Sequence, residues 1–127
     1  MRPREVIALG LAPLASGLLQ GAVMRNAGAF VFGAVAGYVF AALVGLPALM
    51  FLRRRRWQSI GKYIGVGTLA GAASGVVLGL FWGLENYKWG AVVAGFLFFA
   101  LHGLVVSLSY WLIAYAGAPD LRHGTEA

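Results

Sequence analysis

Residues 63–84 read YIGVGTLAGAASGVVLGLFWGL and contain no Asp, Glu, Lys or Arg. As an α-helix at 1.5 Å per residue, this stretch would be about 33 Å long, close to the roughly 30 Å hydrocarbon thickness of a bilayer. Its length and its lack of charge predict a transmembrane helix.

Three further stretches of the same kind give the chain four predicted spans. The uncharged apolar runs cover residues 6–24, 27–52, 63–84 and 90–117. Hydrophobic residues make up 61% of the 127 positions and charged residues 11%, which leaves too little polar surface to coat a soluble globule. Because the connections are short, neighbouring helices are expected to be antiparallel. We therefore predict an all-α fold, an integral membrane antiparallel four-helix bundle that forms a single domain over residues 1–127.

The positive residues predict the orientation of this bundle. With four spans, the N-terminus, the loop 53–62 and the C-terminus lie on one side. That side carries Arg2, Arg4, Arg53, Arg54, Arg55, Arg56, Lys62 and Arg122. The opposite side carries Arg25 and Lys88. Since cytoplasmic loops are enriched in Lys and Arg, we predict that both termini are cytoplasmic, in an inner (plasma) membrane of bacterial type.

The four consecutive arginines Arg53, Arg54, Arg55 and Arg56 contribute much of the net charge of +6. A nucleic-acid surface would spread its basic residues along a face and interleave them with exposed aromatic residues, so nucleic acid is not an expected partner. An arginine run between two spans instead indicates an orientation signal that also attracts anionic lipid headgroups. The expected partners of this loop are the bilayer and its anionic lipids.

Small residues recur at every fourth position in the central spans. The third span carries Gly67, Gly71, Gly75, Gly79 and Gly83, and the second carries Ala29, Gly33, Gly37, Ala41 and Gly45. Such stripes let transmembrane helices approach closely. We interpret them as glycine-zipper faces. They would pack the second span against the third within one chain, or join the chain to a homo-oligomer or a larger membrane complex.

Few polar side chains lie within the spans, where such groups are costly and often functional. Tyr38, Ser74 and His102 fall at a similar depth near mid-membrane on three different spans, and they form a candidate polar site. We favour a neutral His102 that is hydrogen-bonded to Tyr38 or to a serine. A channel or transporter site around His102 is the alternative.

Neither enzymatic activity nor a bound metal or cofactor is expected. No span contains a carboxylate that could act as a base, because Glu5 precedes the first run, and Ser107 lies on a different part of its helix from His102. The chain has no cysteine, which excludes thiolate catalysis and metal–thiolate sites. The second histidine, His123, lies in the C-terminal tail, so a two-histidine haem or metal site would need a second subunit.

Part of the chain resembles the dimeric fluoride channels. The pattern Gly17-x-x-x-Gly21-x-x-x-Arg25 looks like the end of their first helix, and residues 28–41 loosely resemble their second helix. In this chain, however, Gly33 stands where that family has a pore asparagine, and the third span lacks the family's Thr-Phe-Ser-Thr-type break. No family is assigned on this resemblance.

The sequence therefore predicts a non-enzymatic small inner-membrane protein. Its glycine faces indicate self-association or a role as an accessory subunit of a larger membrane complex. The alternative is a small channel or transporter with a mid-membrane polar site around His102.

Overall fold

The structure, a computed structural model, describes residues 2–84 and 89–116, and the regular elements in these ranges are all helices. They are α1 (Pro3–Met24), α2 (Ala27–Phe40), a π-helical turn (Ala41–Gly45), α3 (Leu46–Arg54), α4 (Ile60–Leu84) and α5 (Trp89–Tyr115). Since α2, the π turn and α3 follow one another without a break, they form a single span. Four helices are thus long and apolar enough to cross a membrane, as predicted. Lys88, Arg122 and His123 lie outside the described residues.

The turn between α1 and α2 consists of two residues. Arg25 has φ 49° and ψ 41°, a left-handed backbone that ends α1. Asn26 begins α2, because its side-chain oxygen accepts a hydrogen bond of 2.8 Å from the N–H of Gly28. The short connection places α2 beside α1, and the two helices pack together.

Pro47 explains the π turn in the second span. Proline has no N–H, so the carbonyl of Leu43, four residues earlier, loses its α-helical donor. Just before the proline, a backbone hydrogen bond spans five residues instead of four, because the N–H of Leu46 donates to the carbonyl of Ala41. The second span therefore continues past Pro47 with a local irregularity instead of ending there.

The glycines of α2 lie against α1. A Cβ on Gly33 would come within 2.8 Å of the Cβ of Gln20, and one on Gly37 within 2.8 Å of the Pro13 carbonyl oxygen. Larger residues would collide at both positions, so α2 approaches α1 at a distance that requires glycine.

The glycines of α4 lie against α5. Three of them contact backbone groups of α5 so closely that a Cβ would overlap a carbonyl oxygen: Gly67 with Gly103, Gly71 with Phe99, and Gly75 with Gly95. Gly79 is buried near Gly95. The surroundings of Gly83 fall outside the described part of the structure.

The helix pairing differs from the predicted packing of the second span against the third. The small residues of α2 pack against α1, those of α4 pack against α5, and α1 also packs against α5. The second and third spans meet where α3 and the π turn approach α4, near the loop that joins them. The prediction of this pair was wrong because a small-residue stripe indicates a close approach without identifying the neighbouring helix.

Candidate functional site

A groove lies between the second span and the α4–α5 pair, with α1 as its floor. Its volume is about 190 Å³, and it is partly open to the surroundings. Most of its lining is apolar, including Phe40 and Val44 on the second span, Val66 and Ala70 on α4, and Val106 on α5. A groove of this kind offers space to an apolar group from outside the protein.

The groove exists because the second span and α4 pack on different neighbours. The wall of the second span consists largely of small residues, among them Ala36, Ala41, Gly45 and Ala48. Such small side chains fill little of the space between the second span and α4, although the π turn and α3 approach α4 near the loop that joins them. The π turn lies in this wall, so the backbone irregularity before Pro47 helps to shape the groove.

One hydrogen-bonded polar pair lines the groove. His102 Nε2 lies 3.1 Å from the side-chain oxygen of Gln20, and His102 Nδ1 lies 2.7 Å from the carbonyl oxygen of Phe98. A neutral imidazole satisfies both contacts when Nδ1–H donates to Phe98 and the Gln20 amide is turned so that its nitrogen donates to Nε2. The partner of His102 is thus on α1, because α1 packs beside α5.

The structure places the other two residues of the predicted mid-membrane site elsewhere. The Tyr38 hydroxyl donates to the Gly10 carbonyl oxygen at 2.5 Å, and the Tyr38 side chain is 43% exposed. The Ser74 hydroxyl donates to the Ala70 carbonyl oxygen in its own helix. Among the described residues, no hydrogen bond joins Tyr38, Ser74 and His102, and of the three only His102 lines the groove.

A polar cluster that the sequence analysis missed closes one end of the groove. Glu5 is only 7% exposed and forms an ion pair with Arg53. Its carboxylate also accepts hydrogen bonds from the backbone N–H of Arg2 at 2.9 Å and from the Tyr115 hydroxyl at 3.0 Å. These contacts connect the beginning of α1 to the ends of α3 and α5.

Two further tyrosines complete this cluster. The Tyr63 and Tyr115 hydroxyls lie 3.0 Å apart and share a hydrogen bond, and the Tyr63 ring stacks on Tyr110 with 5.8 Å between ring centres. Tyr63 and Tyr110 also line the groove. We call Glu5, Arg53, Tyr63, Tyr110 and Tyr115 the basic-end cluster.

The predicted basic loop lies next to the basic-end cluster. Arg53 is engaged by Glu5, whereas Arg54, Arg55 and Arg56 are exposed. Arg55 lies 5.6 Å from the centre of the Phe51 ring. Lys62 lies 4.8 Å from the centre of the Trp57 ring, and both contacts are within the range of cation–π attraction. The loop therefore presents several cations beside aromatic rings at this end of the protein.

The sequence does indicate the basic-end cluster, but only when residues of different spans are compared. The position of each residue along its own helix does not show it. An even number of spans brings Glu5 and Arg53 to the same end of the protein, where three tyrosines of the later spans also lie. Considering charges across spans would have paired Glu5 with the arginine run.

The structure thus defines an all-helical protein with four helices able to cross a membrane and a partly open apolar groove. Within residues 2–84 and 89–116, no group of three His, Asp or Glu side chains could hold a metal ion. Comparison with known protein families, with curated proteins and with solved structures finds no match to this chain.

Proposed function

We propose that this chain is a non-enzymatic, multi-pass protein of a bacterial-type inner membrane and that its groove binds the apolar chain of a membrane lipid. The single observation that carries this proposal is the groove, with its largely apolar lining, its partial opening and its volume of about 190 Å³. Engineered apolar cavities of about 150 Å³ bind benzene-sized ligands. A helix is at least about 10 Å wide, so an acyl chain suits this space better than a partner helix.

An antiparallel arrangement with cytoplasmic termini is part of the proposal. It is supported by the contacts of α4 with α5, in which residue numbers rise along one helix as they fall along the other. It is also supported by the hydrogen bond of 2.9 Å from the Trp111 ring N–H to the Gln58 carbonyl, and by the ion pair of Glu5 with Arg53. The excess of Lys and Arg at this end favours its placement in the cytoplasm.

Ala70→Phe is expected to reduce the amount of phospholipid that remains bound to the purified protein by about tenfold. Ala70 lines the groove, and a phenyl ring there would occupy the space available to an acyl chain. Native mass spectrometry after exchange into a mild detergent with equal amounts of dioleoylphosphatidylglycerol and dioleoylphosphatidylcholine measures the retained lipid.

The matched control for this experiment is Ala73→Phe. Ala73 lies on the same helix but is exposed and does not line the groove, so this variant is expected to retain lipid as the original protein does. Equal lipid retention by the Ala70 variant and the original protein would contradict the proposed function.

A small channel or transporter is the second candidate, and the specific observation in its favour is the Gln20–His102 pair beside the groove. If the pair forms part of a proton path, the protein should accelerate proton entry into liposomes loaded with a pH-sensitive dye, and His102→Phe should abolish most of that increase. Tyr38→Phe serves as the control because the Tyr38 hydroxyl contacts Gly10 outside the groove. Unchanged proton entry in the His102 variant would remove this candidate.

Self-association or an accessory role through the glycine faces has less support. The glycines Gly33, Gly37, Gly67, Gly71 and Gly75 already contact helices of their own chain. An oligomer or a larger complex would have to use other surfaces of the bundle.

A further inference from the structure

We propose that the basic end of the groove binds the phosphate of an anionic phospholipid through the Tyr110 hydroxyl and Arg53, while one acyl chain of the same lipid lies in the groove. This inference rests on the proposed lipid-binding function and adds the chemical class of the headgroup. It joins two features that lie next to each other: the apolar groove and the basic-end cluster.

The Tyr110 hydroxyl is the first observation behind this headgroup site. Tyr110 is only 4% exposed; its hydroxyl makes no hydrogen bond of ordinary geometry, and the Arg53 guanidinium lies near it. Thr68 is the other described residue with such a buried oxygen, but it does not line the groove, whereas Tyr110 does. Buried polar groups are nearly always hydrogen-bonded, and a phenol O–H is a good donor to an anionic oxygen. A phosphate oxygen that enters the end of the groove and displaces the side chains covering this hydroxyl would supply the missing acceptor.

Arg53 is the second group of the proposed site, because its guanidinium lies near the Tyr110 hydroxyl although Arg53 does not line the groove itself. One N–H group of its guanidinium donates to Glu5, and a guanidinium has five N–H donors in a fixed geometry that suits phosphate. Its side chain is 37% exposed, so a lipid headgroup can reach the remaining donors. Glu5 does not exclude an anion, because its own charge is already matched by Arg53 and by hydrogen bonds from Arg2 and Tyr115.

The surrounding residues favour an anionic headgroup over a zwitterionic one. In segments 2–5 and 53–63, Glu5 is the only acidic residue, and the basic residues are Arg2, Arg4, Arg53, Arg54, Arg55, Arg56 and Lys62. Trp57 and Trp111 lie at the same end, and tryptophan is enriched at the depth of the headgroups. Each Lys or Arg near a membrane surface adds attraction for anionic lipid.

Tyr110→Phe tests the headgroup site, because this substitution removes the hydroxyl and keeps the ring that stacks on Tyr63. The purified full-length protein in mild detergent is titrated with dioleoylphosphatidylglycerol and, separately, with dioleoylphosphatidylcholine, and bound lipid is counted by native mass spectrometry. The original protein is expected to prefer phosphatidylglycerol by at least about fivefold. Tyr110→Phe should weaken phosphatidylglycerol binding by about tenfold, which corresponds to one hydrogen bond to a charged group.

Tyr38→Phe is the matched control, since it removes a tyrosine hydroxyl that bonds to Gly10 away from the groove, and it should leave the preference unchanged. Arg53→Lys provides a second variant that keeps the positive charge and should weaken phosphatidylglycerol binding by a smaller factor.

The remaining outcomes distinguish a failure of the headgroup site from a failure of the groove function. Equal binding of the two lipids that is still lost in Ala70→Phe overturns the headgroup site and leaves the groove function intact. Preferential binding of the neutral ubiquinone-1 in a competition experiment also overturns the phosphate assignment. Binding that survives both Ala70→Phe and Tyr110→Phe overturns the groove function together with the headgroup site.

Discussion

Gly71→Leu is expected to separate α4 from α5 and to prevent stable folding. A Cβ at this position would overlap the Phe99 carbonyl oxygen and lie 3.2 Å from the Gly103 Cα, and a backbone cannot move aside as a flexible side chain can. Overpacking by a single methyl group typically costs about 1–3 kcal/mol. For leucine we expect a loss of more than about 4 kcal/mol in the free energy of unfolding. Unfolding by SDS in mixed micelles, followed by circular dichroism, measures this loss.

Gly65→Leu is the control on the same helix, because nothing lies within 4 Å of a Cβ at Gly65. Its free energy of unfolding is expected to stay within about 0.5 kcal/mol of the original value. The free energy of unfolding of Gly71→Ala should lie between those of the two leucine variants. If the two leucine variants were equally stable, the close approach of α4 to α5 would be refuted.

Glu5→Gln is expected to destabilise the bundle by about 1–3 kcal/mol. The substitution keeps the shape of the side chain but removes the negative charge that pairs with Arg53. Breaking a fully buried ion pair by removing one partner costs about 3–5 kcal/mol. Because the Arg53 side chain is 37% exposed, water compensates part of this loss, and the estimate is lower. The same SDS unfolding measurement determines the change.

A double-mutant cycle separates the ion pair from the other contacts of Glu5. Arg53→Met should be destabilising by itself, and the combination with Glu5→Gln should cost less than the sum of the two changes, because neither charge is then left without its partner. Arg54→Met is the control, since Arg54 is exposed at the same end. If the losses in the free energy of unfolding caused by Glu5→Gln and Arg53→Met simply add in the double variant, the ion pair contributes nothing to stability.

The spans could be predicted from the sequence because each one is a long apolar run bounded by charged or turn-forming residues. The structure has four helices that are long and apolar enough to cross a membrane, and α1 ends at Met24 where the first run ends, before Arg25 and Asn26. These features are local, since a residue's hydropathy and its immediate neighbours decide whether it enters a membrane helix.

The groove could not be predicted in the same way because it depends on which helices are neighbours. The glycine stripes suggested that the second and third spans pack together, whereas each packs on another helix and leaves space between them. The partner of His102 could not be predicted either, because it too depends on which helices are neighbours. Gln20 lies on the first span, and the packing of α1 beside α5 brings it to His102.

The position of α1 between α2 and α5 has a consequence for biosynthesis. Because the chain is synthesised from its N-terminus, α2 can pack on α1 once residue 54 has been made, but α5 becomes complete only with Tyr115. Until then the face of α1 that packs on α5 lacks its neighbour. The hydrogen bonds of Glu5 with Tyr115 and of Gln20 with His102 join the first helix to the last. Their formation therefore requires that the last helix has been made.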